Sequence, residues 1–172
     1  MAETAQTLVD TQDVETLGGK YLTFELANEI YGIGILRVRE IIKVMGINTV
    51  PRLPEYAKGV INLRGHIIPV VDLRQKLSMA SFNETRETCI IVVDLGNTLT
   101  GLIVDKVAEV LYIKSNQIEN APTFGAEAET DFILGMGKTD ERVVILLDID
   151  KVLDAEALVI PGTAGEQIVV NN

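Results

Sequence analysis

Tyr21 to Ile42 reads YLTFELANEIYGIGILRVREII, and Ile90 to Leu111 reads IIVVDLGNTLTGLIVDKVAEVL. The two stretches align without a gap at a constant offset of 69 residues. Leu26 meets Leu95, Asn28 meets Asn97, Gly32 meets Gly101, Val38 meets Val107 and Glu40 meets Glu109. Shared hairpin chemistry alone would account for so few identities. A second matching unit follows each copy, however. Gly59 to Leu77 reads GVINLRGHIIPVVDLRQKL, and Phe132 to Leu153 reads FILGMGKTDERVVILLDIDKVL, the latter with a hairpin loop expected to be about three or four residues longer. Asp72 and Asp148 each close an apolar run and open a short helical pattern. The chain therefore divides into halves of like design, about 19–80 and 88–155, joined by the polar stretch 79–87. Residues 1–18 and 161–172 are expected to be tails, although Ile168, Val169 and Val170 have the character to dock on the body.

The halves read mainly as strands. Leu22, Phe24 and Leu26 alternate with Tyr21, Thr23 and Glu25, the pattern of a half-buried strand. Asn28 and Asn97 stand where the chain must turn back, and asparagine tolerates left-handed backbone. Residues 36–45 fit a helical face and a strand equally well. Pro69 points to an edge or a bulge, because it gives no ladder donor. Asp72 with Gln75 suits a capping box. Ile90 to Val93, Ile67 to Val71 and Val143 to Leu147 are apolar at every position, so both faces must be covered. In a small all-β half one face fills a barrel, and the other half of the chain is the available cover for the second. The expected fold is mainly β, two small five-stranded barrels packed together with short helices.

With 172 residues, the chain can bury roughly 70% of the surface its unfolded form exposes. No disulfide or metal is needed to hold such a core. Fifteen basic against 25 acidic residues give a net charge of −10, a field that repels phosphate backbones and anionic lipid. Nucleic acid is thereby disfavoured as a partner. One cysteine, Cys89, and no long apolar run lead to the expectation of a cytoplasmic chain.

Catalytic chemistry is hard to assemble. His66 stands alone beside Gly65 in a turn, and Cys89 opens an apolar strand with no base in view. Asp72 and Asp148 have capping work, while Asp94 and Asp105 sit at strand ends. Gly32-Ile33-Gly34 and Gly135-Met136-Gly137 lack the spacing and context of a phosphate loop. No catalytic set, cofactor site or metal cluster is expected, which leaves binding through a surface.

Gly59-Val60-Ile61-Asn62-Leu63-Arg64-Gly65-His66-Ile67-Ile68-Pro69-Val70-Val71-Asp72-Leu73-Arg74 resembles the signature stretch of the CheW family of chemotaxis coupling proteins. Tyr31-Gly32-Ile33 leading to Val38-Arg39-Glu40-Ile41 is similar to the family's other recurring stretch, and Val50-Pro51-Arg52-Leu53-Pro54 to its proline-bearing lead-in. The resemblance covers about 20–160 within a domain of 19–160. It implies two SH3-like five-stranded β-barrels sharing a core. It also implies an adaptor that couples chemoreceptors to the histidine kinase CheA, or an equivalent scaffold in another chemosensory pathway such as surface motility. The implied partners are the cytoplasmic tip of chemoreceptors and the regulatory domain of CheA, met at membrane receptor clusters. Carried over residue by residue, the receptor groove falls on Val38, Glu40, Ile41, Gly59, Asn62 and Arg64. The resemblance does not fix the kinase contacts residue by residue; Met45, Ile47 and Val50, apolar residues expected to be exposed on the first barrel, are the expected kinase-docking residues.

Overall fold

The computed structural model describes residues 17–80, 83–122, 131–140 and 142–153. The expected tails at 1–16 and 161–172, and the 154–160 end of the domain, lie outside the described residues. Leu17 and Gly18, read from sequence as the end of the first tail, pack on the body. The Leu17 carbonyl accepts the Tyr21 hydroxyl.

Eleven strands are described: β1 Gly19–Leu26, β2 Glu29–Gly34, β3 Val38–Lys43, β4 Ala57–Leu63, β5 His66–Asp72, β6 Cys89–Asp94, β7 Leu99–Val104, β8 Lys106–Ile113, β9 Ile118–Glu119, β10 Ile133–Lys138 and β11 Val143–Leu147. They form two sheets. The first runs β8-β1-β2-β11-β10-β9 and the second β3-β6-β7-β5-β4. The ambiguous stretch 36–45 resolves as a 3-10 turn at Ile35–Arg37 followed by β3.

The sequence repeat is a structural repeat. Exchange β1 for β6, β2 for β7, β8 for β3, β10 for β4 and β11 for β5, and the order of the first sheet becomes that of the second. Yet neither sheet is one half of the chain. The first takes β1 and β2 from the first half and the rest from the second; the second takes β6 and β7 in exchange. The boundaries 19–80 and 88–155 therefore mark the repeat and not the two barrels. The parallel pairings β11 with β2 and β5 with β7 are where the halves interlock. Two residues separate β4 from β5 and four separate β10 from β11, so the second connection is the longer, as expected, but by two residues rather than three or four. Leu63 pairs with His66 at the first, and the Thr139 N–H donates to the Arg142 carbonyl (3.0 Å) at the second.

Each barrel has its own small core, and the two share a larger one. Tyr21, Ile30, Ile113, Ile118, Val144 and Leu146 fill the first barrel. Ile61, Ile68, Val70, Ile90 and Val92 fill the second. The shared core takes Phe24, Leu26, Ile33, Val71, Leu73, Ile91, Val93, Leu102, Leu147 and Leu153, among others. This accounts for the uninterrupted apolar runs. Along β6, Ile90 and Val92 face the barrel, while Ile91 and Val93 face the seam. Two SH3-like barrels with a common core are thus what the periodicity demanded.

Barrel closure depends on one recurring device. After β3 the chain returns, and Asn48 bridges Val60 through paired backbone bonds of 2.8 and 2.9 Å. After β8, β9 does the same against β10. Both close approaches fall on a glycine beside a register shift, Gly59 in β4 and Gly135 in β10. Pro69 is in neither an edge strand nor a bulge. It sits opposite Val60 in an internal strand, just before pairing with β7 begins at Val70, so its missing N–H is not needed there. Asn28 takes the left-handed conformation (φ 70°), whereas at the second turn Gly96 (φ 99°) does so in place of Asn97.

Cys89 is half-buried at the start of β6, and burial pushes its thiol pKa up, a backbone hydrogen bond from Val107 opposing in part. Iodoacetamide should therefore label Cys89 markedly more slowly in the native protein than in urea at pH 8, as read by mass spectrometry. Equal rates would contradict the burial argument.

Candidate functional site

The residues expected to form a receptor groove lie on β3 and on the β4–β5 hairpin, the two edges of the second sheet. The Arg64 guanidinium donates to Glu40 Oε1, so the pair ties one edge to the other across the barrel. Arg64 reaches it from a tight turn. Arg64 and Gly65 both have positive φ, 53° and 87°, and Asn62 Oδ1 accepts the Gly65 N–H at 2.8 Å. Arg64 and Gly65 form the two central residues of a hairpin turn whose twist matches the strands. The Arg64 side chain is 65% exposed and that of Glu40 28%, so the pair adds under about 1 kcal/mol to stability. Its worth is directional: a guanidinium held at the surface with donors to spare.

The other expected groove residues divide. Along β3, Val38, Glu40 and Ile42 face inward and Arg39, Ile41 and Lys43 outward. Val38 packs against the shared core. Ile41 is 44% exposed on the opposite face from Glu40. Gly59 is buried, with a positive φ of 139°, and a β-carbon there would lie 2.1 Å from the Asn48 carbonyl oxygen. It lets β4 pass directly under the Asn48 carbonyl and so shapes the wall. Glu40, Asn62 and Arg64 are thus brought together, Ile41 is exposed on the other face of β3, and Val38 and Gly59 support from beneath. Of the expected kinase-docking residues, Met45 is exposed. Ile47 and Val50 are half-buried, and Ile47 packs on the second barrel's core.

Sequence reading missed how fully the carboxylates are engaged. Asp105 accepts Arg74 Nε at 2.8 Å and Nη2 at 2.5 Å, and also the Ala27 N–H at 2.9 Å. Both side chains of this pair are 16% exposed. Asp105 also raises the Arg74 pKa, first through the hydrogen bond and then through charge, against desolvation. Asp105, between β7 and β8 of the second half, thus takes both the helix Leu73–Lys76 and the β1–β2 turn of the first half, and staples the halves together. At the opposite end of the seam Arg37 reaches Asp150, an acid on the helix Ile149–Val152 and an arginine on the turn. Asp94 accepts the Gly96 N–H and the Arg39 guanidinium, which together hold its carboxyl below the usual range. Asp72 and Asp148 cap their helices: Asp72 accepts Arg74 N–H at 3.0 Å, and Asp148 accepts Asp150 N–H at 3.1 Å. The capping box expected at Gln75 does not close; the Asp72 N–H goes to the Tyr56 carbonyl, and Gln75 Oε1 has no hydrogen-bond partner. No signal in the sequence could have paired Arg74 with Asp105, 31 positions apart.

Several apolar side chains are left at the surface. Leu36 is 95% exposed on the 3-10 turn that carries Arg37, and Tyr112 and Val110 project from the edge strand β8. Ile67 and Val143, which the repeat makes equivalent, are both more than half exposed. Among the described residues no His, Cys, Asp and Glu group has a metal-binding arrangement, and no helix is long and apolar enough to cross a membrane.

Comparison with known proteins agrees with this architecture. Residues 20–157 match the CheW-like domain. The chemotaxis protein CheW of Klebsiella aerogenes is 40% identical over 144 residues, which cover 84% of this chain and 87% of that protein. The chemotaxis protein CheW of Bacillus subtilis is 34% identical over 148 residues, covering 86% and 94%. The crystal structure of the scaffolding protein CheW from Thermoanaerobacter tengcongensis superposes with a TM-score of 0.69 at 38% identity, over 76% of this chain and 88% of that one. With the repeat, the shared core and the signature hairpin all in place, the chain belongs to the CheW-like domain family.

Proposed function

We propose that this protein is a non-catalytic chemotaxis scaffold that couples the cytoplasmic tip of chemoreceptors to the regulatory domain of the histidine kinase CheA. The observation that carries this reading is the Arg64–Glu40 pair, presented at the surface on a tight turn that Asn62 braces, with Ile41 exposed on the other face of the same edge strand. A helix of the receptor tip needs an apolar contact flanked by charges of both signs, and this edge of the second barrel offers them. Gly59 and Val38 hold that edge in shape. The kinase contacts the stretch from Met45 to Val50, which closes the same barrel from the other side. One molecule holding both partners raises their effective concentration for each other and needs no chemistry of its own. The strand-end and helix-capping carboxylates, occupied by arginines or backbone N–H groups, fit a scaffold better than an acid–base catalyst. The working place is the cytoplasm, at membrane receptor clusters.

The test is reconstitution of kinase, receptor and this protein, with kinase autophosphorylation as the readout. Leaving the protein out should abolish receptor control. Arg64→Ala should weaken receptor binding about tenfold, with the melting temperature moved by less than about 2 °C, because an exposed pair stabilises little. Unchanged coupling in Arg64→Ala would reject the groove.

A further inference from the structure

The internal repeat places the same feature at the mouth of each barrel and fills it only once. In the second barrel Glu40, beside the register shift of β3 against β6, accepts the Arg64 guanidinium from the tip of the β4–β5 turn. The repeat equates Glu40 with Glu109, which lies at the corresponding register shift of β8 against β1. It equates Arg64 with Asp140, since the register-shift glycines Gly59 and Gly135 and the helix-capping acids Asp72 and Asp148 stand at the same offset of 76 residues. The acceptor is therefore kept in the first barrel, and the arginine is replaced by an acid. The mouth that results is an open cleft of about 360 Å³. Glu25, Glu109 and Asp140 line it together with Arg142, over an apolar floor that includes Ile30 and Leu111. Arg142 stands just before β11 on the far side of the turn, at the offset of His66 in the second barrel, and leaves the rim net acidic.

We propose that the mouth of the first barrel is a receptor site for an arginine presented on a tight turn by a partner protein, in the place that Arg64 fills internally in the second barrel. The guanidinium lies against Glu109 and Asp140, its stem covers Ile30 and Leu111, and the Thr23 hydroxyl holds the Glu109 backbone in position, donating to its carbonyl at 2.7 Å and accepting its N–H at 3.1 Å. A planar fork suits two carboxylates on opposite sides of a cleft better than an ammonium does. This inference rests on the repeat and not on the chemotaxis reading.

The experiment is an NMR titration of the full chain with Nα-acetyl-arginine amide and with Nα-acetyl-lysine amide. Saturable amide shifts are expected around Thr23, Glu109, Asp140 and Arg142 with the arginine probe, and about threefold weaker binding with the lysine probe. Glu109→Gln should weaken the arginine probe by about threefold. Asp140→Arg should close the mouth on Glu109 and remove probe binding, with the circular dichroism spectrum unchanged. A cyclised hairpin peptide with an Arg-Gly turn should bind about tenfold more tightly than the free amide, through preorganisation. Shifts spread over the whole acidic surface, equal responses to both probes, or binding that survives both substitutions would overturn the proposal. Equal affinity of peptide and amide would overturn the turn-borne form of the partner.

Discussion

Gly59→Ala is expected to lower stability by about 3–5 kcal/mol, the largest effect of any single methyl added to this chain. Two costs combine. The new β-carbon would stand 2.1 Å from the Asn48 carbonyl oxygen and 2.8 Å from its carbon, both backbone atoms fixed by the Asn48–Val60 bridge. Forcing such a contact costs about 1–3 kcal/mol in a packed site. The φ of 139° adds strain of about 1–3 kcal/mol for any residue with a side chain. For a chain of this size the melting temperature should fall by roughly 10 °C. Two internal controls isolate the cause. Gly135→Ala meets Ile118 Cγ2 at 2.8 Å and the Glu119 carbonyl oxygen at 2.9 Å without positive φ, so it should cost less. Gly34→Ala meets nothing within 4 Å and should be close to neutral. Thermal unfolding of the three variants decides the matter; an order other than Gly59, Gly135, Gly34 would reject the close-approach account. Because the bridge carries the stretch from Met45 to Val50 as well as the wall beneath Arg64, Gly59→Ala should disturb kinase and receptor binding together. Arg64→Ala should disturb receptor binding alone.

Asp105→Ala is expected to cost about 3 kcal/mol, well above what an ion pair at the surface contributes. The substitution strips Arg74 of its two-pronged acceptor and leaves the Ala27 N–H without its carboxylate. Breaking a buried pair costs about 3–5 kcal/mol, and the residual exposure of 16% on each side chain places this one at the lower end. Arg74→Ala should cost less, since Asp105 keeps the Ala27 N–H. The double variant should be less destabilised than the two single effects added together, by about 1–2 kcal/mol. Urea denaturation of the four proteins measures that difference. Strict additivity would mean that the pair does not join the halves. The exposed counterpart Arg37–Asp150 provides the contrast: its removal should cost under about 1 kcal/mol.

Sequence periodicity fixed much of this molecule. Strands β6, β5 and β11 are apolar on both faces, and only a barrel core on one side and a shared core on the other satisfies them. The offset matching Glu40 to Glu109 revealed the repeat, and the signature around Asn62-Leu63-Arg64-Gly65 located the turn that presents Arg64. These features were legible because alternation, turn chemistry and helix caps act between residues close in sequence. The assignment of strands to barrels was not legible. Exchange of β1 and β2 with β6 and β7 leaves every local pattern unchanged, since the hairpins are interchangeable copies, and only the parallel pairings of β2 with β11 and β7 with β5 decide it. Nor could sequence separate the expected groove residues that stand at the surface from those that only support them. Gly59 and Arg64 stand five positions apart in one motif, yet one is buried under a carbonyl and the other is open to solvent. The same holds for Asp105 and Asp94, which read alike as strand-end carboxylates and differ in which arginine the fold brings to them. Local physics wrote the elements of this protein, the signature hairpin among them. Contacts between distant segments, which no spacing rule encodes, decided that one barrel mouth is bridged by its own arginine and the other is left open.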